Sequence, residues 1–125
     1  MRVLVTGATG QVGRAIVKQF TDQGHQVIGT GNTRLGSEDA VHELRNISCE
    51  AVIHAAAAFH ESEIALTNCL GTQQVIELAE LWKARLVYIS SIQVIGRPQG
   101  LVTEEHRTDP LTVYHASKLL SLIHI

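Results

Sequence analysis

Val3-Leu4-Val5-Thr6-Gly7-Ala8-Thr9-Gly10-Gln11-Val12-Gly13 decides how this chain folds. Arg2–Thr6 is a short apolar run with β-branched residues, the pattern of a strand buried on both faces. Beyond the glycines, Val12, Ile16, Val17 and Phe20 fall at helical spacing, and Gly24 ends the run. Gly7, Gly10 and Gly13 therefore stand three residues apart between a strand and a helix. The first permits a tight turn, the second lets a pyrophosphate approach the backbone, and the third allows close helix–strand packing. Free N–H groups and the helix dipole favour phosphate charge at that point. Glycines alone would mark any turn, so the flanking strand and helix carry the inference of a dinucleotide site.

Working outward, Gln26–Thr30 reads as a second strand, residues 31–37 as a turn, and Asp39–Asn46 as a short helix. Glu50–His54 is a buried strand that runs into four alanines. Ile64–Lys83 has helical periodicity through Leu66, Leu70, Val75, Leu78 and Leu81. Arg85–Ser90 is a further strand, and a loop rich in Gly, Pro and polar residues then leads to a helix over Leu111–Leu120. Strands alternating with helices predict one α/β domain with a parallel sheet and right-handed crossovers.

Composition excludes other classes. A formal charge of −2, without a Lys/Arg run, offers nucleic acid or an anionic membrane no purchase. No apolar stretch approaches the roughly 20 residues of a membrane span, and the N-terminus has no signal-peptide pattern. Cys49 and Cys69 read as reduced, structural thiols of a cytoplasmic protein. His25, His42, His60, His106 and His115 are scattered without ligand spacing, so no metal site is expected.

Tyr114-His115-Ala116-Ser117-Lys118 places a phenol and an ammonium at i, i+4, on one helix face. The pair follows Ser91 by 23 residues, in Tyr88-Ile89-Ser90-Ser91-Ile92-Gln93-Val94-Ile95-Gly96. Together with Val-Thr-Gly-Ala-Thr-Gly-Gln-Val-Gly at the start, these segments resemble the extended short-chain dehydrogenases, the NAD(P)-dependent epimerase/dehydratase group. The resemblance runs to about Leu119 and implies a Rossmann-type, doubly wound parallel sheet. It implies Ser91, Tyr114 and Lys118 as the catalytic set. Ser91 would polarise the substrate carbonyl, and Tyr114 would be the acid/base, its pKa lowered by the nearby ammonium. Lys118 would also hold the nicotinamide ribose. Ser90 would line the cofactor pocket. His54-Ala55-Ala56 resembles the family's His-x-Ala, with His54 a packed strand-end residue and Ala55 and Ala56 beside the cofactor. Asn68, in Asn-x-x-Gly-Thr, matches an asparagine that stabilises the sheet and a buried water path in relatives. Thr103-Glu104 resembles the family's Thr-Glu without a firm role. Ile95 stands where the family's Val-Tyr-Gly has tyrosine.

NAD-specific relatives carry an acid at the end of the second strand, where it accepts from the adenosine ribose. Here Ile28-Gly29-Thr30-Gly31-Asn32-Thr33-Arg34 has Gly31 near that place, and Arg34 can pair with a 2′-phosphate. NADP is therefore expected ahead of NAD. The cofactor-binding set comprises Gly7, Thr9, Gly10, Gln11, Val12 and Gly13 in the first loop, with Asn32 and Arg34 in the second. Ala55, Ala56, Ser90, Tyr114 and Lys118 complete it.

Two segments are short relative to the family. Only ten residues separate Gly29 from Ala40, so the usual third strand is short or missing, at most a stub at Thr33–Leu35. The stretch from Ala57 to Asn68 lacks part of a loop that commonly covers nicotinamide and substrate. The resemblance also implies a substrate-binding region after the Tyr-x-x-x-Lys helix, whereas the chain ends seven residues after Lys118. Residues 1–119 thus read as an incomplete dinucleotide-binding domain. Residues 120–125 resemble translated sequencing-adaptor sequence and read as a non-native tail.

The expected parent is an oxidoreductase, epimerase or dehydratase acting by hydride transfer on a carbonyl or hydroxyl substrate, possibly a nucleotide sugar. It would pair as a homodimer through the helices at 64–83 and 111–120. The chain alone would be inactive. The alternatives are a non-catalytic NADP-binding regulatory or sensor subunit, and an interaction module that binds no cofactor.

Overall fold

A computed structural model describes residues 1–31 and 33–125. Four parallel strands form one sheet: β1 (Arg2–Thr6), β2 (Gln26–Thr30), β3 (Ala51–His54) and β4 (Arg85–Tyr88), in the order β2-β1-β3-β4. Val3 lies opposite Val27 on one side and Ala51 on the other, and Val52 opposite Leu86. Side chains alternate across the sheet, and both faces are covered. Val3, Val5 and Ile53 pack with Ile16, Val17 and Phe20 of α1 (Gln11–Asp22). Leu4 and Val52 face the opposite layer, where α2 (Glu38–Arg45) supplies Ala40 and Leu44, and α4 (Gly71–Trp82) supplies Val75, Leu78 and Ala79. This is the doubly wound parallel architecture that the sequence predicts.

α1 stops as its sequence dictates. Gly24 takes φ +79°, its N–H donates to Thr21 O, and the His25 N–H donates to Phe20 O. This is the left-handed glycine stop of a Schellman motif. The Phe20 and His25 rings meet at 5.5 Å across it.

Two helices differ from the sequence expectation, whereas the third strand is missing, as the short spacing allows: no strand forms at Thr33–Leu35. The backbone turns there, with Leu35 N–H donating to Thr33 O and Ser37 N–H to Arg34 O, so Leu35 enters the core instead. Gly36 closes the turn at φ +93°, where an added Cβ would lie 2.3 Å from Leu66 O. Gln74 clamps this loop, accepting from Gly36 N and donating to Ser37 O.

The helix expected over Ile64–Lys83 begins earlier, as α3 (Glu61–Ile64), and is interrupted by a π-helical turn over Ala65–Leu70 before α4. The wider turn re-aims backbone carbonyls. Asn68 O accepts from the hydroxyls of Thr72 and Ser121, at 2.6 and 3.0 Å.

The last helix, α5 (Val113–His124), starts two residues later than expected because Thr112 caps it, accepting from His115 N–H at 3.2 Å. It continues through residues 120–124, and Ser121 is buried. Among the described residues, no helix is long and apolar enough to cross a membrane.

Candidate active site

A cleft of about 930 Å³ opens along the C-terminal ends of the strands. Because the sheet order is β2-β1-β3-β4, the loops meet it in the spatial order 33–37 with Gly31, 7–13, 55–59 and 89–90. Ligands of open α/β sheets bind at this position.

The glycine loop is a cradle without room for side chains. Gly7 adopts φ +65°, and a Cβ there would lie 2.7 Å from the Ala56 backbone. A Cβ on Gly13 would lie 2.0 Å from Gly7 O, which already accepts from Gly10 N–H. Gly31 is held as tightly by Thr9, whose methyl carbon lies 2.1 Å from the Cβ position. Acidic side chains are absent from the first turn of α1, so its N–H groups face the cleft without a competing negative charge.

Of the sequence-predicted cofactor residues, Gly7, Thr9, Gly10, Gln11, Val12 and Gly13 line the cleft, as does Arg34. Ala55, Ala56, Ser90, Tyr114 and Lys118 line it as well. Asn32 lies outside the described residues. Ser91 does not line the cleft. Its hydroxyl oxygen caps the 3₁₀ turn Ile92–Ile95 by accepting from Gln93 N–H at 3.3 Å.

The cleft fits a dinucleotide on its own evidence. The cradle and the α1 N-terminus suit a pyrophosphate, Arg34 stands at the β2 side, and Ser90 Oγ is buried without a hydrogen-bond partner. A bound group or a water reaching this hydroxyl would complete its hydrogen bonding.

Lys118 is buried, and its Nζ donates to Ile89 O at 2.9 Å while lying 4.7 Å above the Tyr88 ring. Burial lowers its pKa to about 8. The ammonium is 5.9 Å from the Tyr114 ring centre. Burial pushes the Tyr114 phenol above its ordinary value. The depression expected from the Tyr-x-x-x-Lys pair is therefore not what the protein alone provides. Lys118 is turned toward Ile89 O, and desolvation of the phenol dominates.

Behind the cleft lies a polar chain with one consistent assignment. Ala56 N–H donates to Thr6 Oγ1 at 3.2 Å, and the Thr6 hydroxyl meets His54 Nδ1 at 2.6 Å. His54 Nε2 meets Thr72 Oγ1 at 2.9 Å, and the Thr72 hydroxyl donates to Asn68 O. Since Thr72 spends its proton on Asn68 O, His54 carries hydrogen on Nε2 and accepts from Thr6 at Nδ1. Burial, and then the charge of Lys118, lower the His54 pKa to about 3. His54 is a packed neutral residue, as its place in the sequence implies.

Asn68 joins the site's two sides. Its Oδ1 accepts from Ala58 N–H at 2.7 Å, and its Nδ2 donates to Ala58 O at 2.9 Å and to Ser117 Oγ at 3.1 Å. The Ser117 hydroxyl donates onward to Tyr114 O at 2.7 Å.

Sequence reasoning missed Phe59, Glu63, Leu66 and Thr67, which also line the cleft. The position of Phe59 after four alanines was a usable signal, because an aromatic ring so placed has no small neighbour's reason to be there. Glu63, Leu66 and Thr67 gave none, since the short α3 places the first and the π-helical turn the other two.

The family description "NAD dependent epimerase/dehydratase" matches residues 3–123. Methionine adenosyltransferase 2 subunit beta of Rattus norvegicus is 30% identical over 135 residues, covering 94% of this chain and 40% of that protein. dTDP-4-dehydrorhamnose reductase of Mycolicibacterium smegmatis is 30% identical over 128 residues, covering 94% and 39%. The chain thus spans about two fifths of the length of these curated relatives. Among solved structures, a short-chain dehydrogenase/reductase superfamily protein from Agrobacterium tumefaciens with bound NAD superposes with a TM-score of 0.88. It is 29% identical, with 98% of this chain and 43% of that one covered. A dTDP-4-dehydrorhamnose reductase from Clostridium acetobutylicum gives a TM-score of 0.87 at 28% identity, over 98% of this chain and 48% of that one. Fold, glycine cradle and family match agree: the chain belongs to the NAD-dependent epimerase/dehydratase family.

Proposed function

We propose that the protein is an NAD(P)-dependent oxidoreductase that interconverts a carbonyl and a hydroxyl on a sugar-nucleotide substrate, with NADP preferred. The observation that carries this reading is the placement of Tyr114 and Lys118 on the same cleft as the glycine cradle. Gly7, Gly10 and Gly13 would hold the pyrophosphate, Arg34 the 2′-phosphate, and Ser90 and Lys118 the nicotinamide end. Bound there, the cofactor supplies or accepts the hydride.

Reduction requires a proton at the substrate oxygen, and the Tyr114 phenol gives it. Burial raises the pKa of that phenol and keeps it protonated at neutral pH, the correct state for an acid. Lys118, with its pKa near 8, stands ready to balance the charge that proton transfer leaves. Ser91 lies outside the cleft lining, and only the family resemblance gives it the substrate oxygen: its hydroxyl accepts from Gln93 N–H and keeps its own proton to donate. Similarity to the dTDP-4-dehydrorhamnose reductases supports a deoxysugar nucleotide as the substrate class.

The equal similarity to methionine adenosyltransferase 2 subunit beta favours a second reading, a cofactor-binding regulatory subunit. Exposed Leu70 and Leu81 on α4 and the turn before it, with Leu120 on α5, support pairing as a homodimer through these helices. Oxidation of NADPH by the purified full-length protein, across a panel that includes dTDP-4-dehydrorhamnose, tests the first reading. Tight NADPH binding without turnover of any substrate would favour the second.

A further inference from the structure

Tyr114 is the second residue of α5, and on its own helix its ring meets that of His115 edge-on with centres 5.4 Å apart. Phe59 covers it. The two rings stack with centres 4.8 Å apart and planes 24° apart, and both line the cleft. Phe59 itself is 73% exposed. A phenylalanine left that open is no core residue, and the contact it does make is with the phenol.

The stack is built from behind. Asn68 grips both backbone groups of Ala58, the residue before Phe59, and its Nδ2 also donates to Ser117 Oγ. Ser117 in turn donates to Tyr114 O. One buried side chain therefore fixes the backbone under Phe59 and the helical turn that carries Tyr114. The segment between β3 and α3 thus brings an aromatic ring to the phenol.

We propose that Phe59 is a positioning residue: by stacking on Tyr114 it restricts the phenol to the orientation in which its hydroxyl meets the substrate oxygen. Small misplacements of a reacting group are costly in rate, and offset-stacked aromatic pairs prefer a defined geometry. The proposal rests on the oxidoreductase reading for its effect on turnover, but the stack itself can be observed without it.

The test compares Phe59→Leu and Phe59→Tyr with the wild-type full-length protein. The Tyr114 ring protons are assigned as the signals that Tyr114→Phe removes. Cross-relaxation between the Phe59 and Tyr114 rings is expected, with a ring-current displacement of Tyr114 that Phe59→Leu reduces to the share of His115 and Phe59→Tyr keeps. In turnover, Phe59→Leu should lower kcat roughly 2- to 10-fold, the range that ring stacking carries, with KM for NADPH unchanged. Phe59→Tyr should restore kcat. In a Tyr114→Phe background, Phe59→Leu should cost nothing further. An unchanged Tyr114 signal and kcat in Phe59→Leu would overturn the proposal. So would an equal loss in the Tyr114→Phe background, because Phe59 would then act independently of the phenol. A wild type silent toward every substrate would count against the oxidoreductase reading, and the ring-proton comparison would still decide whether Phe59 holds Tyr114.

Discussion

The side-chain amide of Asn68 donates to the hydroxyl of Ser117 at 3.1 Å, and so joins a loop after β3 to the helix that carries Tyr114 and Lys118. Both partners are buried. Their neighbours explain why an amide suits this position. Ala58 presents an N–H and a C=O side by side, and only a group that accepts at one atom and donates at the other satisfies both. The π-helical turn around Asn68 leaves its carbonyl to Thr72 and Ser121. A residue outside the cleft lining thus ties the loop that carries Phe59 to the helical turn that carries Tyr114.

Asn68→Asp retains the acceptor for Ala58 N–H and replaces the donor with an oxygen facing Ala58 O and Ser117 Oγ. Leaving buried groups unpaired costs about 1–3 kcal/mol each, more when charge is involved. The aspartate variant is therefore expected to be less stable than Asn68→Ala at pH 7, and to recover part of the difference at low pH, where its carboxyl can donate. Urea midpoints at pH 7 and pH 4 check this. Equal midpoints for the two variants at both pH values would mean that the amide's donor contributes little.

Gly13 and Gly24 differ in what a side chain would meet. A Cβ on Gly13 would lie 2.0 Å from Gly7 O, while one on Gly24, despite φ +79°, meets nothing within 4 Å. Gly24→Ala should cost only the left-handed strain, about 1 kcal/mol. Gly13→Ala must push α1 away from the loop and should cost several times as much, with loss of NADPH binding. Thermal unfolding and a cofactor titration of the two variants measure the contrast.

The strands and the glycine cradle were legible because buried apolar runs and a glycine-marked strand–helix junction are local signals. Tyr114, Lys118 and Ser90 were legible through spacing and family resemblance. Three things were not. Leu35 reads as loop or strand stub, but its burial depends on Gly36 turning against Leu66 O and on Gln74 holding that turn, which are contacts between distant residues. The helix over 64–83 keeps its apolar spacing across a π-helical turn, so periodicity hides the extra residue that re-aims Asn68 O. The direction of the Tyr114 shift depends on how deeply the phenol is buried and on where Lys118 Nζ points, and neither is encoded in their separation of four residues.

His54 links acid stability to the network behind the cleft. Its folded pKa, about 3, lies below the ordinary 6.5. Between these values the unfolded chain takes up a proton that the folded chain refuses, so stability falls as pH drops from about 6.5 toward 3. Above that window the contribution is fully present. His54→Asn, which cannot be protonated there, is expected to be less stable than wild type at pH 7 and to lose less on acidification. Parallel pH-dependence of the urea midpoint in both proteins would show that His54 does not carry the acid sensitivity.

Arg34 lines the cleft on the side where the cofactor's adenosine would lie, and Gly31 leaves no acid beside it. A charge-assisted hydrogen bond to a 2′-phosphate is worth about 1.5–3 kcal/mol. Arg34→Ala should therefore weaken NADPH binding roughly 10- to 150-fold and leave NADH nearly unchanged. A fluorescence titration with both cofactors distinguishes this from a solvated loop arginine, which would affect neither.

Tyr114 and Lys118 should separate when mutated, because they are built into the fold to different depths. Tyr114 lies at the cleft mouth on the first turn of α5, and Tyr114→Phe removes one hydroxyl while the ring keeps its stack on Phe59. Its expected effect is a loss of kcat of about 10²- to 10⁴-fold, the share of a general acid, with cofactor affinity and melting temperature preserved. Lys118 is buried and donates to Ile89 O, so Lys118→Met leaves that carbonyl unpaired and removes the ammonium from the nicotinamide end. It should lower kcat, weaken NADPH and change the melting temperature together. The Lys118 pKa of about 8 adds a pH signature. Below it the ammonium is present, and as pH rises through about 8 the charge is lost, so wild-type NADPH affinity should fall across that range. In Lys118→Met the same step should be absent. Steady-state kinetics, cofactor titration from pH 6.5 to 9.5 and thermal melts decide the matter. A Tyr114→Phe enzyme that keeps more than about a tenth of wild-type kcat would assign the proton to another group.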